Sequence, residues 1–130
     1  MLNHFPKAIP QNLVSEVPKA IEYYVNALGF HLDWYSEEHA IAGISQGECC
    51  IFLTTPPPGK RPGASVIWLN LQSRQEVDEL HQCWQAAGAI ILAEPEDKPW
   101  NLHEFKAADL DGNQLRVYYD FTRETRSNRS

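Results

Sequence analysis

The sequence predicts an α+β fold built from two βαβββ modules. Two segments have helical periodicity and end at a glycine, and strand-like segments surround both of them. Each helix also follows the same pattern, Asn-Leu-x-Ser, which ends once at Ser15 and once at Ser73. This agreement in order, spacing and local structure favours an internal duplication over coincidence.

Local signals support each element in turn. The first helix is predicted over residues 18–28, with Pro18 in its first turn and Gly29 just past its end. The second is predicted over residues 73–87, where Ser73-Arg74-Gln75-Glu76 has the form of a capping box and Gly88 follows. Eight strands are expected, at 8–14, 31–35, 40–45 and 49–54, then at 65–71, 90–93, 104–108 and 114–119.

The domain organisation follows from these elements. We expect one domain over residues 1–121, with modules at 7–55 and 64–120. The linker over residues 56–63 is rich in proline and glycine, a composition that cannot continue a sheet. Residues 122–130 are expected to be a disordered polar tail.

Composition excludes several classes of function. The 130 residues include 11 basic and 17 acidic side chains, for a formal net charge of −6, which argues against a protein that neutralises nucleic-acid phosphates. No apolar run is long enough for a membrane helix, and the N-terminus lacks a signal-peptide core. The three cysteines form neither a disulfide framework nor a Cys-x-x-Cys motif, so a cytoplasmic location is expected.

Alternation along the strands assigns two different faces to the sheets. One face is uniformly apolar and suits packing beneath the helices. The other combines large aromatic side chains with amides and one arginine, at Phe52, Trp68, Arg116 and Tyr118 among others. That mixture is typical of a ligand cavity, although a second sheet-packing or dimer face explains it equally well.

Several motifs resemble those of the vicinal oxygen chelate superfamily, which includes glyoxalase I, extradiol dioxygenases and bleomycin-resistance proteins. They are Leu28-Gly29-Phe30 after the first helix and Asp109-Leu110-Asp111-Gly112-Asn113 near the end. The stretch from Lys98 to Phe105 is most similar to the bleomycin-resistance branch, from which it departs at Asn101-Leu102. The resemblance implies that the modules form a curved mixed β-sheet cup with the helices on its outer face.

The enzymes of this superfamily hold a divalent metal with four side chains that point into the cup. The matching positions here are Ile9, Phe52, Val66 and Arg116. None of them has a donor suited to a first-row divalent metal, and Arg116 would repel the ion. We therefore expect no metal, no other cofactor and no catalytic residue, and a binding protein rather than an enzyme.

The resemblance also implies a ligand. Positions matching Trp34, His39 and Trp100 line the drug groove in the bleomycin-resistance branch, and aromatic surfaces with nearby acids suit a planar, cationic antibiotic. Such a protein would sequester the drug without modifying it. The predicted ligand-binding residues are Asp33, Trp34, His39, Phe52, Trp68, Trp100, Glu104, Arg116 and Tyr118.

Two further questions stay open at this point. Arg116 can instead anchor an anionic or carbonyl-bearing substrate of an enzyme or of another binder, while an ion pair with Glu104 or Glu48 explains it equally well. The family pattern implies a homodimer with an exchanged N-terminal arm, to which Pro6 and Pro10 are suited; protection of an edge strand is the simpler explanation of these prolines. Neither nucleic acid nor membrane is an expected partner.

Overall fold

A computed structural model describes residues 3–122 and 124. Its helices and strands follow the order expected of two βαβββ modules. The first module contains β1 (Gln11–Leu13), α1 (Val17–Asn26), β2 (His31–Ser36), β3 (Ile41–Gln46) and β4 (Cys49–Thr54). The second contains β5 (Val66–Asn70), α2 (Arg74–Ala86), β6 (Ile90–Asp97), β7 (Leu102–Ala108) and β8 (Gln114–Asp120).

Each module forms its own four-stranded mixed sheet, in the orders β1-β4-β3-β2 and β5-β8-β7-β6. The first strand of each module pairs in parallel with the last one, and the remaining pairs are antiparallel. The identical topology confirms the α+β fold with two repeated modules. No strand ladder joins the two sheets within the described residues, and the barrel is not closed.

The helix ends have the predicted geometry. Ser73 is the N-cap of α2, since its Oγ accepts from the backbone N–H of Glu76 at 3.1 Å, and the Glu76 carboxylate accepts in turn from the N–H of Gln72 at 2.8 Å. Gly29 and Gly88 follow the two helices with φ of 78° and 92°, a conformation that favours glycine. The repeat therefore extends to the backbone that terminates each helix.

The apolar faces of both sheets pack with the helices into one shared core. Tyr24 of α1, Ile51 of β4, Phe105 of β7 and Leu115 and Val117 of β8 are all buried in it. Burial of such side chains is the main favourable term in folding. The opposite face of each sheet is consequently left outside the core.

A buried hydrogen-bond network joins the modules at the Asp109–Asn113 loop. Tyr24 donates its hydroxyl to Asp109 Oδ2 at 2.8 Å, and Asn12 Nδ2 donates to the same hydroxyl at 2.9 Å. Asn113 donates its backbone N–H to Asp109 Oδ1 at 2.9 Å and its amide to Leu13 O at 3.0 Å. Burial, reinforced by the Asp109 charge, raises the pKa of Tyr24. Asp109 therefore holds α1 of one module against the strands of the other.

Strand boundaries differ from the prediction where proline is involved. β1 covers Gln11–Leu13 and is shorter than the expected 8–14, because Pro10 has no N–H to donate. β6 continues past the expected 90–93 to Asp97 and includes Pro95, which a sheet accommodates because β6 is an edge strand. Of the expected tail, residues 123 and 125–130 lie outside the described part of the chain.

Within residues 3–122 and 124, no helix has the length and apolar character needed to cross a membrane.

Candidate functional site

An aromatic surface covers the side of the first sheet opposite the helices, which we call the N-terminal face. Trp34 on β2 and Phe52 on β4 both pair with Gly43 of the strand between them. Their rings meet edge to face with centroids 5.2 Å apart, and Trp34 remains 41% exposed. A Cβ atom on Gly43 would lie 2.4 Å from Trp34 Nε1, so the missing side chain allows the indole to lie against the sheet.

Asp33 and His39 border this surface. The register between β2 and β3 shifts between Leu32 and Trp34, and the Asp33 carboxylate accepts from Ser45 Oγ at 3.0 Å. Ser45 lies on the same face as Gly43, so Asp33 contributes negative charge beside Trp34. His39 lies in the turn after β2, where its Nδ1 is 3.0 Å from the Ser36 hydroxyl.

The side of the second sheet opposite the helices, which we call the C-terminal face, carries a linked set of polar and aromatic side chains. Arg116 donates through Nε and Nη2 to Glu104 Oε2 at 3.0 and 2.7 Å, and Trp100 Nε1 donates to Glu104 Oε1 at 2.9 Å. The Arg116 guanidinium also lies 4.1 Å from the centre of the Trp68 ring, which meets Tyr118 edge to face at 5.7 Å. These contacts hold five predicted site residues together.

The side chains of this set differ in their exposure to solvent. Glu104 is only 2% exposed, whereas Trp68 and Trp100 are 46% and 54% exposed. The buried carboxylate is compensated by Arg116 and by the indole N–H, as a buried charge requires. The Glu104–Arg116 pair therefore forms the base on which two indole surfaces are presented to solvent.

The turn that carries Trp100 contains a residue in the left-handed region. Asn101 has φ of 66°, and its N–H donates to Lys98 O at 3.0 Å. Asparagine enters this region more readily than most residues, so Asn101 suits the turn. Lys98 lies 6.0 Å from the centre of the Trp100 ring.

The residues at the four family metal positions do not fit a divalent metal. Ile9, Phe52 and Val66 have no donor atom, and Arg116 is a cation already bonded to Glu104. Among residues 3–122 and 124, no three His, Cys, Asp or Glu side chains lie together in a way that could hold a metal.

The Arg116–Glu104 bond also bears on the two explanations of Arg116. From the sequence alone, Arg116 can be either an anchor for a substrate anion or the partner of Glu104 or Glu48 in a structural ion pair. The structure shows the pair with Glu104. Both charges are thereby engaged, which weakens the idea that Arg116 is a free anchor for an anion.

Sequence reasoning missed two residues of the N-terminal face. Gly43 was recognisable, because a glycine inside a strand often marks a close approach of another group. Lys7 was not, since its Nζ lies 3.3 Å from Cys50 Sγ across more than forty positions of sequence. The thiol of Cys50 thus has a cationic neighbour that the sequence conceals.

A charged cluster lies away from both faces, on the second module. Arg74 Nη1 donates to Asp97 Oδ1 at 2.6 Å, and His103 bridges Asp97 and Asp78 through its two ring nitrogens, each at 2.8 Å. The hydrogen bond from Arg74, then that from His103, lowers the pKa of Asp97. Since each charged group already has a partner, this cluster has a structural role.

Among the described residues, no aromatic contact connects the two faces. The ring of Trp34 meets Phe52, and that of Trp68 meets Tyr118 and Arg116. The nine predicted residues therefore divide into an N-terminal group of Asp33, Trp34, His39 and Phe52 and a C-terminal group of Trp68, Trp100, Glu104, Arg116 and Tyr118. Each group forms an open surface rather than an enclosed cavity.

Solved structures share this architecture. A glyoxalase/bleomycin resistance protein/dioxygenase from Nocardioides has a TM-score of 0.75 at 17% identity, covering 91% of this chain and 85% of its own. TioX from Micromonospora sp. ML1 has a TM-score of 0.71 at 21% identity, with coverage of 88% and 99%. TnmS3, an antibiotic binding protein from Streptomyces sp. CB03234, has a TM-score of 0.72 at 21% identity, with coverage of 89% and 97%. At these identities the likeness shows the fold.

Sequence comparison extends this result. Curated protein sequences give no match. The family model of the Glyoxalase/Bleomycin resistance protein/Dioxygenase superfamily matches residues 10–117, which span most of both modules. The chain belongs to the glyoxalase/bleomycin resistance protein/dioxygenase superfamily.

Proposed function

We propose that the protein is a metal-free small-molecule binding protein of the bleomycin-resistance type. It sequesters a planar, cationic antibiotic in grooves of a homodimer and leaves the drug unmodified. The three cysteines, which are free in the structure, suit a reducing cytoplasmic setting for this role.

One observation carries the proposal: exposed aromatic side chains pack against residues at two of the positions where superfamily enzymes carry metal ligands. Phe52, at one metal position, supports Trp34, and Arg116, at another, supports Trp68. Exposed indoles of this size are costly in water unless a ligand or partner covers them. Flat rings close to acids offer stacking and cation–π contacts to an aromatic cation.

A dimer would turn the open faces into grooves. Each chain has one N-terminal and one C-terminal face, so two chains related by a two-fold axis can oppose unlike faces twice. Residues 3–10 precede β1 as an exposed segment without helix or strand, and Phe5 within it is 80% exposed. An arm of this kind is suited to exchange between subunits.

One structural neighbour is in keeping with a binding role. TnmS3 is described as an antibiotic binding protein, and it shares the fold over most of both chains. The alternative of an enzyme, or of another binder anchored on Arg116, is disfavoured because that guanidinium is engaged by Glu104.

Titration of the purified protein with metal-free bleomycin, followed by tryptophan fluorescence, tests the proposal. We expect saturable quenching at one drug per chain, and a dimer in sedimentation equilibrium. Trp34→Ala and Trp100→Ala should each weaken binding by about 1–3 kcal/mol, the usual range for a stacking contact. Absence of quenching at tens of micromolar drug would exclude this ligand.

Tyr35→Ala is the matched control. The exposed fraction of Tyr35 is 37%, close to the 41% of Trp34. Tyr35 pairs with the buried Ala42, however, and so lies on the other side of β2. We expect its drug affinity to equal that of the parent protein. Equal weakening by Tyr35→Ala and Trp34→Ala would show that the effect arises from damage to β2.

A further inference from the structure

A cleft of about 410 Å³ lies between the two modules, on the helix side of the sheets. Leu28 and Phe30 line it from the first module, with Cys49 at the start of β4. Leu80 and Trp84 of α2 line it from the second module. It is distinct from the N-terminal face, because Cys49 alternates with Cys50 along β4 and only Cys50 points to that face.

The walls of this cleft are fixed by the core. Trp84 Nε1 donates to Leu28 O at 3.0 Å, which ties α2 to the end of α1. The Trp84 ring also meets Phe105 edge to face at 5.6 Å. Leu80 is only partly buried, although it packs against the core on one side. A rigid apolar cleft of this volume falls within the size range of small-molecule sites.

The mouth of the cleft carries a negative charge. Glu48 occupies the two-residue turn Gly47-Glu48, whose flanking residues Gln46 and Cys49 pair with each other, so the turn fixes its position. No Lys, Arg or His in the described residues forms an ion pair with the Glu48 carboxylate, although Lys7 Nζ lies 3.5 Å from the Glu48 backbone carbonyl oxygen and offsets part of the charge. The lining of the cleft also includes Trp68, a residue that it shares with the C-terminal face.

We propose that this cleft is a second binding site, for a small apolar or aromatic amine. The hydrophobic part of the ligand packs between Leu80, Trp84 and Phe30, and its ammonium group faces Glu48 at the mouth. The net charge of −6 further favours a cation over an anion of the same shape. The inference does not depend on antibiotic binding at the two faces.

Cysteine alkylation provides a test that compares the two sides of one strand. Cys49 lines the cleft, whereas Cys50 lies on the N-terminal face. Burial raises the pKa of the Cys49 thiol, so iodoacetamide labelling is carried out at a pH of about 8, where the amine of the probe remains protonated, and is mapped by mass spectrometry. The probe is 2-(aminomethyl)naphthalene, and 2-naphthalenemethanol is its uncharged counterpart.

At a probe concentration about ten times its Kd, labelling of Cys49 should slow by about tenfold, because little free protein remains. Protection of Cys49 supports the inference whether or not Cys50 also slows. Slowing of Cys50 alone, or of neither cysteine, contradicts it, and slowing of Cys50 alone would assign the probe to the antibiotic face.

Two variants examine the shape and the charge of the site. Leu80→Trp fills the cleft and should weaken binding of the amine by at least about tenfold. Glu48→Gln leaves the turn intact and should weaken it by about two- to fivefold, with no change for the uncharged alcohol. Unchanged amine binding in Leu80→Trp, or an equal loss for the alcohol in Glu48→Gln, contradicts the proposed site.

Discussion

Replacement of Gly43 by alanine tests how the N-terminal face is built. The new Cβ would lie 2.4 Å from Trp34 Nε1 and 2.6 Å from Trp34 Cε2, distances that van der Waals contact does not permit. The indole must therefore leave its position and lose its contact with Phe52. The backbone of Gly43 does not have a positive φ, so alanine brings no backbone strain of its own.

The magnitudes separate stability from binding. Loss of the Trp34–Phe52 contact costs about 0.5–1.5 kcal/mol, while alanine in place of glycine inside a strand gains about 0.5–1 kcal/mol. The free energy of unfolding should thus change by less than about 1 kcal/mol. Displacement of a stacking surface should weaken drug binding by about 1–3 kcal/mol, or roughly 5- to 150-fold in Kd.

A double-mutant cycle tests whether Gly43 affects drug binding only through Trp34. Drug affinity is measured for the parent protein, Gly43→Ala, Trp34→Ala and the double variant, with urea unfolding as the stability control. Because Gly43 acts only through Trp34, the glycine substitution should have no further effect once Trp34 is absent. Additive losses in the double variant, or parent-like affinity in Gly43→Ala, would refute the described packing.

Three other substitutions address the framework. Tyr24→Phe removes a hydrogen bond to the buried Asp109 carboxylate. Urea melts should show that this substitution lowers the free energy of unfolding by about 1.5–3 kcal/mol. A loss below about 0.5 kcal/mol would contradict the importance of this hydrogen bond. Ala40 has φ of 50°, so Ala40→Gly should raise thermal stability by up to about 1 kcal/mol, and any destabilisation would count against that backbone conformation. The hydrogen bonds from Arg74 and His103 that lower the pKa of Asp97 stabilise the fold fully at pH values above 3.8, the ordinary pKa of an aspartate. This stabilisation is lost as the pH falls through the lowered pKa of Asp97. Asp97→Asn should accordingly cost less than about 1 kcal/mol at pH 7, since the pair is exposed, and the difference from the parent should vanish in acid; a difference that persists in acid would show another cause.

The fold was predictable because its signals are local and repeated. The capping box at Ser73, the glycines after both helices and the alternation along β4, β5 and β8 each depend on residues a few positions apart. The errors lie at strand ends. Pro95 falls within β6, where only the edge position of that strand makes a proline acceptable, and edge position is a tertiary property.

The candidate site was predictable in its members but not in its arrangement. Alternation placed Trp68 and Arg116 on a common face, yet only the register of β7 on β8 brings Glu104 to Arg116. The contact of Lys7 with Cys50 depends on the path of the N-terminal segment, which periodicity does not describe. Long-range pairing of this kind requires the three-dimensional structure.

Calorimetry with metal-free bleomycin, before and after exhaustive treatment of the protein with a chelator, tests whether the drug binds without a metal. Phe52, Val66 and Arg116 are incapable of holding a divalent ion, so we expect the same affinity and one drug per chain in both preparations. Loss of binding after chelation, with recovery on addition of a divalent metal, would contradict it.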